Sequence, residues 1–281
     1  MFVDLEVGPY RVRVATTYGP RILGLRRAGG PELFAQLAET VVIDHPETGI
    51  YRFHGGHRMW AAPEVPRITY VNDDRPCEVT TTTSGFTLSA PADPAGMTKK
   101  MEVMIDGERL TVDHHLGNQG PASLTVAVWA ITQLPLGGVA IMPVGGPPAS
   151  DPYLADGSLI VWPYTNLTDN RLSWTPRAAV VDAIAGPRFK IGSGPRPGRL
   201  GYLNDGYLFI MEIPPAGAGD YPDRGAVAQV FVEDEFCELE SLGPLALLEP
   251  GQSISHRETW EATECTSLTS AFDRVLDAAV A

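Results

Sequence analysis

Thr98-Lys99-Lys100-Met101-Glu102-Val103-Met104-Ile105-Asp106-Gly107-Glu108-Arg109-Leu110-Thr111-Val112-Asp113-His114-His115-Leu116 is the stretch on which the fold turns. Met101, Val103 and Ile105 alternate with mostly polar neighbours, the period-two pattern of a strand with one buried face. Asp106-Gly107 predicts a tight hairpin of type I′, because that turn needs positive φ. Leu110, Val112, His114 and Leu116 then share one face of a second strand, which makes His114 a core histidine and points His115 the other way. Asn118-Gln119-Gly120-Pro121 predicts another turn, and Ser123–Leu134 a long third strand. The unit is an antiparallel meander.

The same signals recur along the chain. The 281 residues include 29 Gly and 25 Pro, which punctuate many short apolar runs. Strands are predicted over Tyr10–Ala15, Arg21–Arg27, Ile68–Asn72, Val79–Thr83, Phe86–Ala90, Leu159–Trp162, Phe189–Ile191, Tyr207–Glu212, Ala226–Phe231, Phe236–Leu242 and Ser253–Ala262. Only Leu268–Val280 reads as helix, with Leu268, Phe272, Val275 and Leu276 on one stripe and Ser267 as its cap. No short-period repeat and no long linker divides the chain. So many strands in one chain predict an all-β sandwich of large antiparallel sheets, a single domain over 1–281.

Composition narrows the function. A hydrophobic fraction of 44% with 20% charged residues excludes a disordered chain. A net charge of −13 argues against nucleic acid and against an anionic membrane surface. Residues 116–150 lack Asp, Glu, Lys and Arg, but Pro121, Pro135, Gly137 and Gly138 break them, so they read as two buried strands and a turn rather than a membrane span. Met1-Phe2-Val3-Asp4-Leu5-Glu6 has neither a basic nor a long apolar segment. With three widely spaced cysteines (Cys77, Cys237, Cys265), none paired at the spacing of a zinc site or a redox dithiol, this predicts a cytoplasmic protein.

Four constellations could carry chemistry. Phe53-His54-Gly55-Gly56-His57-Arg58-Met59-Trp60 reads as a loop whose glycines let the backbone approach a ligand. Its Arg offers a planar donor fork and its Trp a flat apolar platform, a combination that suits a sugar. The His-x-x-His pair also admits a metal, but no third ligand stands at a fixed spacing. In Cys237-Glu238-Leu239-Glu240, strand alternation puts both carboxylates on one face, about 6.6 Å apart along the chain. Burial there would raise at least one pKa and make a general base. Trp129 shares a face with Thr125 and Gln133, the more polar side of its strand. Trp162-Pro163-Tyr164, with Arg171 and Lys190 further on, fits the rim of a carbohydrate groove. No phosphate-binding glycine loop, dinucleotide fingerprint or Gly-x-Ser-x-Gly elbow is present, so no nucleotide cofactor is expected.

Taken in order, these pieces resemble the galactose mutarotase-like (aldose 1-epimerase-like) superfamily. The resemblance rests on Gly19-Pro20-Arg21-Ile22-Leu23-Gly24-Leu25 and on Phe53-His54-Gly55-Gly56 with Trp60. It continues through Asn118-Gln119-Gly120 to Trp129, and then Cys237–Glu240, Leu248-Glu249-Pro250-Gly251-Gln252 and Glu258-Thr259-Trp260. The resemblance implies a β-supersandwich, and an isomerase in which a Glu takes the anomeric proton while a His protonates the ring oxygen. It makes Glu240 the base and matches His54 to a substrate-binding His. This chain departs from the family pattern on the central strand. Trp129-Ala130-Ile131-Thr132-Gln133-Leu134 stands where the family has its acidic His, and Ser241 follows Glu240 where a Gln is common. The replacement donor is then His57, His54 or Lys190.

The expectation is therefore a sugar-active protein, an aldose-1-epimerase-like enzyme with Glu240 and His57 or His54 as catalytic groups. Arg58, Trp60, Trp129, Tyr164, Lys190 and Glu238 would hold the substrate, with no metal and no cofactor. The alternatives are a non-catalytic carbohydrate-binding or sensing protein, and elimination, hydrolysis or a metal-assisted step on the same scaffold.

Overall fold

The structure, a computed structural model, describes residues 1–145, 153, 155, 157–194 and 198–276. In chain order the first strands are β1 (Phe2–Val7), β2 (Tyr10–Ala15), β3 (Ile22–Arg27), β4 (Val42–His45), β5 (Gly49–Arg52), β6 (His57–Ala62), β7 (Glu78–Thr81) and β8 (Gly85–Ala90). The middle of the chain forms β9 (Met97–Asp106), β10 (Arg109–Asn118), β11 (Leu124–Leu134), β12 (Val139–Pro143), β13 (Leu159–Val161), β14 (Leu172–Trp174) and β15 (Ala178–Asp182). The rest are β16 (Phe189–Ser193), β17 (Arg199–Asn204), β18 (Tyr207–Glu212), β19 (Ala228–Val232), β20 (Cys237–Leu242), β21 (Ala246–Leu248) and β22 (Ser253–Glu264).

These strands form two large antiparallel sheets and one ribbon. The front sheet runs β1-β2-β3-β6-β11-β20-β19-β16-β13, with β21 also on β11. The back sheet runs β14-β15-β12-β17-β18-β22-β10-β9-β8-β7, and β4 pairs with β5 alone. The main core lies between the sheets. It takes Met59, Val128, Val230 and Leu239 from the front and Met101, Val112, Met211 and Trp260 from the back. A second apolar cluster covers the outer face of the front sheet around Trp60, Trp129, Ile131 and Phe236. This second cluster marks the cleft described below. The C-terminal helix Leu268–Leu276 closes the outer face of the back sheet through Ala271 and Val275.

The predicted meander is present, with β9 and β10 paired from Asp106–Arg109 to Met97–Asn118. Its turn is shifted by one residue: Gly107 and Glu108 are the central pair, and of the two only Gly107 has positive φ, the pattern of a type II′ turn. Ile68–Asn72 is not a strand. Pro66 starts a single helical turn, Pro66–Thr69, whose last residues bond back to the Val65 carbonyl. Phe53–Trp60 is a loop only as far as Gly56; from His57 it is the fully buried strand β6. The predicted helix is described as far as Leu276, and its last four residues lie outside the described residues. Of the predicted stripe, Val275 is buried and Phe272 and Leu276 pack beside it, with Ala271 added to the inward face, while Leu268 is exposed. Ser267 does cap it, accepting from the Ser270 N–H at 3.5 Å. Of residues 116–150, β11 and β12 account for the two buried strands, and 146–150 lie outside the described residues. Among the described residues no helix is long and apolar enough to cross a membrane.

Candidate functional site

The site is built on the outer face of the front sheet, where β6, β11, β20, β19 and β16 run side by side. Alternation on β20 sends Cys237, Leu239 and Ser241 into the inter-sheet core and Glu238 and Glu240 outward. Register then sets their neighbours. Lys190, Phe231, Glu238 and Gln133 form one cross-strand row, and Gln229, Glu240, Ile131 and Arg58 the next. Trp60 and Trp129 face each other across β6 and β11, ring centroids 5.4 Å apart.

Above these rows lies a cavity of about 380 Å³, within the range of small-molecule sites. Its walls include Phe53, Arg58, Trp60, Trp129, Trp162, Tyr164, Lys190 and Glu238. The ribbon residues Val42–Asp44, with Glu64 and Tyr70, supply one rim; Arg188 and Glu233 contribute to another. Tyr70 Oη donates to Glu64, and Arg188 Nε donates to Glu233 at 3.1 Å.

Two cation–carboxylate pairs organise the floor. Glu240 Oε2 accepts from Lys190 Nζ at 2.9 Å and from Trp129 Nε1 at 2.6 Å, while its Oε1 has no hydrogen-bond partner. Lys190 Nζ also sits between the rings of Trp129 and Trp162, 4.7 and 4.9 Å from their centroids. Glu238 Oε1 accepts from Arg58 Nη2 and Gln133 Nε2, both at 3.0 Å. The Arg58 guanidinium lies 4.2 Å from the Trp60 ring centroid and 5.0 Å from that of Phe53, and its Nε and Nη1 have no partner. Complete burial pushes the Glu240 carboxyl up to about 7, against the opposing pull of Lys190 and with a further upward push from Glu238. Burial, then the Glu240 charge, holds the Tyr164 hydroxyl well above the ordinary phenol range.

Arg58, Trp60, Trp129, Tyr164, Lys190 and Glu238 thus line one cavity. Glu240 lies directly beneath it, fully buried, and reaches it through Lys190 and Trp129. The two histidines are a correction. His57 begins β6, and alternation turns it away from Arg58 into the space between the sheets. There its Nδ1 lies 2.8 Å from Thr132 Oγ1 and its Nε2 2.7 Å from His114 Nε2. Burial, then His114, keeps its pKa well below the usual imidazole value. His54 stacks on Tyr18 at 3.8 Å, with Nε2 3.2 Å from Asp74 Oδ1, and does not line the cavity. The two imidazoles therefore neither reach Glu240 nor converge on a shared metal position. Gly55 and Gly56 serve packing rather than ligand approach: a Cβ on either would meet a backbone carbonyl, of Ala35 or Ile22, at 2.1 Å.

The sequence reading also left Arg188, Glu64, Tyr70 and the β4 residues out of the site. They come from separate segments that only the tertiary fold brings to one rim. Phe53 and Trp162 could have been found beside residues already singled out, Phe53 in the loop that leads to Arg58 and Trp162 next but one to Tyr164.

Comparison with solved structures bears on the fold. A galactose mutarotase-like protein from Lactobacillus casei superposes with a TM-score of 0.58 at 11% identity, covering 94% of this chain and 100% of that one. The chain has the galactose mutarotase-like fold. A galactose mutarotase related enzyme from Lactobacillus acidophilus superposes on this fold with a TM-score of 0.55 at 11% identity, covering 95% of this chain and 99% of that one. No protein-family model matches the sequence, and no curated protein matches it.

Proposed function

We propose that residues 1–281 act as one carbohydrate-binding domain, and that the protein is an aldose-1-epimerase-like isomerase acting on a sugar or sugar-like ring in this cleft. The observation that carries the reading is the Glu240–Lys190 pair on the floor of an aromatic-walled cavity. A carboxyl near pH 7 can hold or release a proton at neutral pH, and Lys190 stands between it and the ligand space. The indoles give the C–H face of a ring an apolar platform, and Glu238, held by Arg58 on the cavity wall, meets its hydroxyls.

The roles shift from the sequence expectation. Glu238, which lines the cavity, accepts the anomeric hydroxyl proton as the C1–O5 bond opens. Lys190 delivers a proton to the ring oxygen, and Glu240 behind it restores that proton. Reclosure on the other face of C1 reverses each transfer, so no atom or charge is gained or lost. Lys190 takes the place of the histidine missing from the central strand. A soluble sugar is the partner this implies, in the cytoplasm.

The second reading is a binding or sensing protein without turnover. It is favoured by the absence of an imidazole from the cavity walls among the described residues, and by the ion pairs that already occupy both carboxylates. Lys190→Met and Glu238→Gln separate the two. Each is expected to slow protein-dependent anomer interconversion by roughly 100-fold or more, while ligand affinity by saturation-transfer titration falls less than about tenfold. An unchanged rate in either variant removes that residue from the chemistry, and a wild-type protein that binds without accelerating any aldose establishes the binding reading.

A further inference from the structure

Directly behind the cleft strand β6, a polar cluster sits between the two sheets and takes no part in the chemistry above. His57 reaches it from the front sheet, and His114 on β10 and Glu258 on β22 from the back. All three are completely buried. One ligand atom from each (the imidazole nitrogens and a carboxylate oxygen) lies within 4.8 Å of the other two.

The surroundings hold each group in a ligating posture. His114 Nδ1 lies 3.1 Å from the His256 carbonyl. A carbonyl only accepts, so the proton sits on Nδ1 and the Nε2 lone pair points at the cluster. The outer nitrogen of His57 is engaged by Thr132 Oγ1 at 2.8 Å. Ser241 Oγ donates to Glu258 Oε1 at 2.5 Å and Trp260 Nε1 donates to Oε2 at 2.8 Å. This is the outer-shell pattern that orients metal ligands, each imidazole tied by its far nitrogen and the carboxylate fixed by donors. Among the described residues no Lys or Arg forms an ion pair with Glu258. A buried carboxylate without a cation is costly, and a divalent ion at the centre removes that cost.

We propose that His57, His114 and Glu258 form a transition-metal site, taking Zn²⁺ or a similar borderline divalent ion, that ties the two sheets together beneath the cleft. Two imidazoles and one carboxylate are an established ligand set for Zn²⁺. Zinc–ligand bonds of about 2.0–2.2 Å place tetrahedral ligand atoms roughly 3.3 Å apart, so the 2.7 Å between His57 and His114 opens by only about half an ångström. The site has no exposure, so its role is structural and the ion enters as the chain folds. On its other face β6 presents Arg58 and Trp60, so the ion fixes the strand that carries one wall of the cleft.

The test is to unfold the whole protein in denaturant with a chelator, remove both, and refold it with and without Co²⁺ or Zn²⁺. The expected result is one equivalent of retained metal, visible bands of tetrahedral Co²⁺, and a Tm higher than that of the metal-free protein by roughly 5 °C or more. His114→Gln and Glu258→Gln should retain less than about a tenth of an equivalent, while His115→Gln, its half-buried neighbour on the same strand, should retain the full amount. If the two Gln variants do not fold, the wild-type comparison decides alone. Refolded wild-type protein with no retained metal and an unchanged Tm overturns the proposal, leaving a metal-free network in which one proton joins the two imidazoles. Full retention in His114→Gln overturns it too, by placing the ion elsewhere.

Discussion

Glu240 shows how one position concentrates the chemistry of the cleft. Its carboxyl is raised to about 7 from an ordinary 4.5, chiefly by burial. Between those two values the folded protein keeps a proton that the unfolded chain has released. Glu240 therefore adds stability below pH 4.5 and loses that contribution as pH rises toward 7. Relative to Glu240→Gln, wild type should lose unfolding free energy steadily as pH rises from 4.5 to 7.5. Denaturant titrations of both proteins across that range check the sign. Parallel profiles would mean that Glu240 ionises in the folded state as easily as in water. The shared outward face of Glu238 and Glu240 was legible from alternation alone. The pairing of Glu240 with Lys190 was not, since the two are fifty residues apart and meet only through the register of β16, β19 and β20.

At the scale of elements, β6 decides what the site contains. Both of its faces are buried, so its sequence carries no polar–apolar alternation, and His57-Arg58-Met59-Trp60 read as a continuation of the glycine loop. Once it is a strand, period two assigns His57 and Met59 to the core and Arg58 and Trp60 to the cleft. That single difference moved the expected acid out of the site and exposed the cluster behind it. The strand's start depends on Gly56, at φ +72° with a Cβ position 2.1 Å from the Ile22 carbonyl. Gly56→Ala should cost at least about 2 kcal/mol, because neither the left-handed backbone nor the neighbouring main chain can yield cheaply. Thermal unfolding measures this, and a Tm within about 1 °C of wild type would contradict the close approach. By contrast, β9 and β10 were legible to within a few residues, because burial alternates along most of each and a glycine turn joins them; β11, buried on both faces like β6, was legible from its length and the turn before it.

For the whole molecule, the abundance of glycine and proline and the many short apolar runs were enough to indicate two packed antiparallel sheets. Strand order was not legible: β6 sits between β3 and β11, and β22 between β18 and β10, pairings set by packing across long sequence separations. The rim of the cleft depends on that order, which is why Glu64, Tyr70 and Arg188 went unnoticed while the floor residues did not. The fold explains where a ligand would sit; the side chains on it decide the reaction.

The most direct measurement is proton NMR on a panel of freshly dissolved aldoses, with and without wild-type protein, recording anomer interconversion and saturation transfer together. The account predicts that at least one aldose receives saturation from the protein and interconverts faster in its presence. Neither signal across the panel would contradict it, because the cleft would then hold no simple sugar ring.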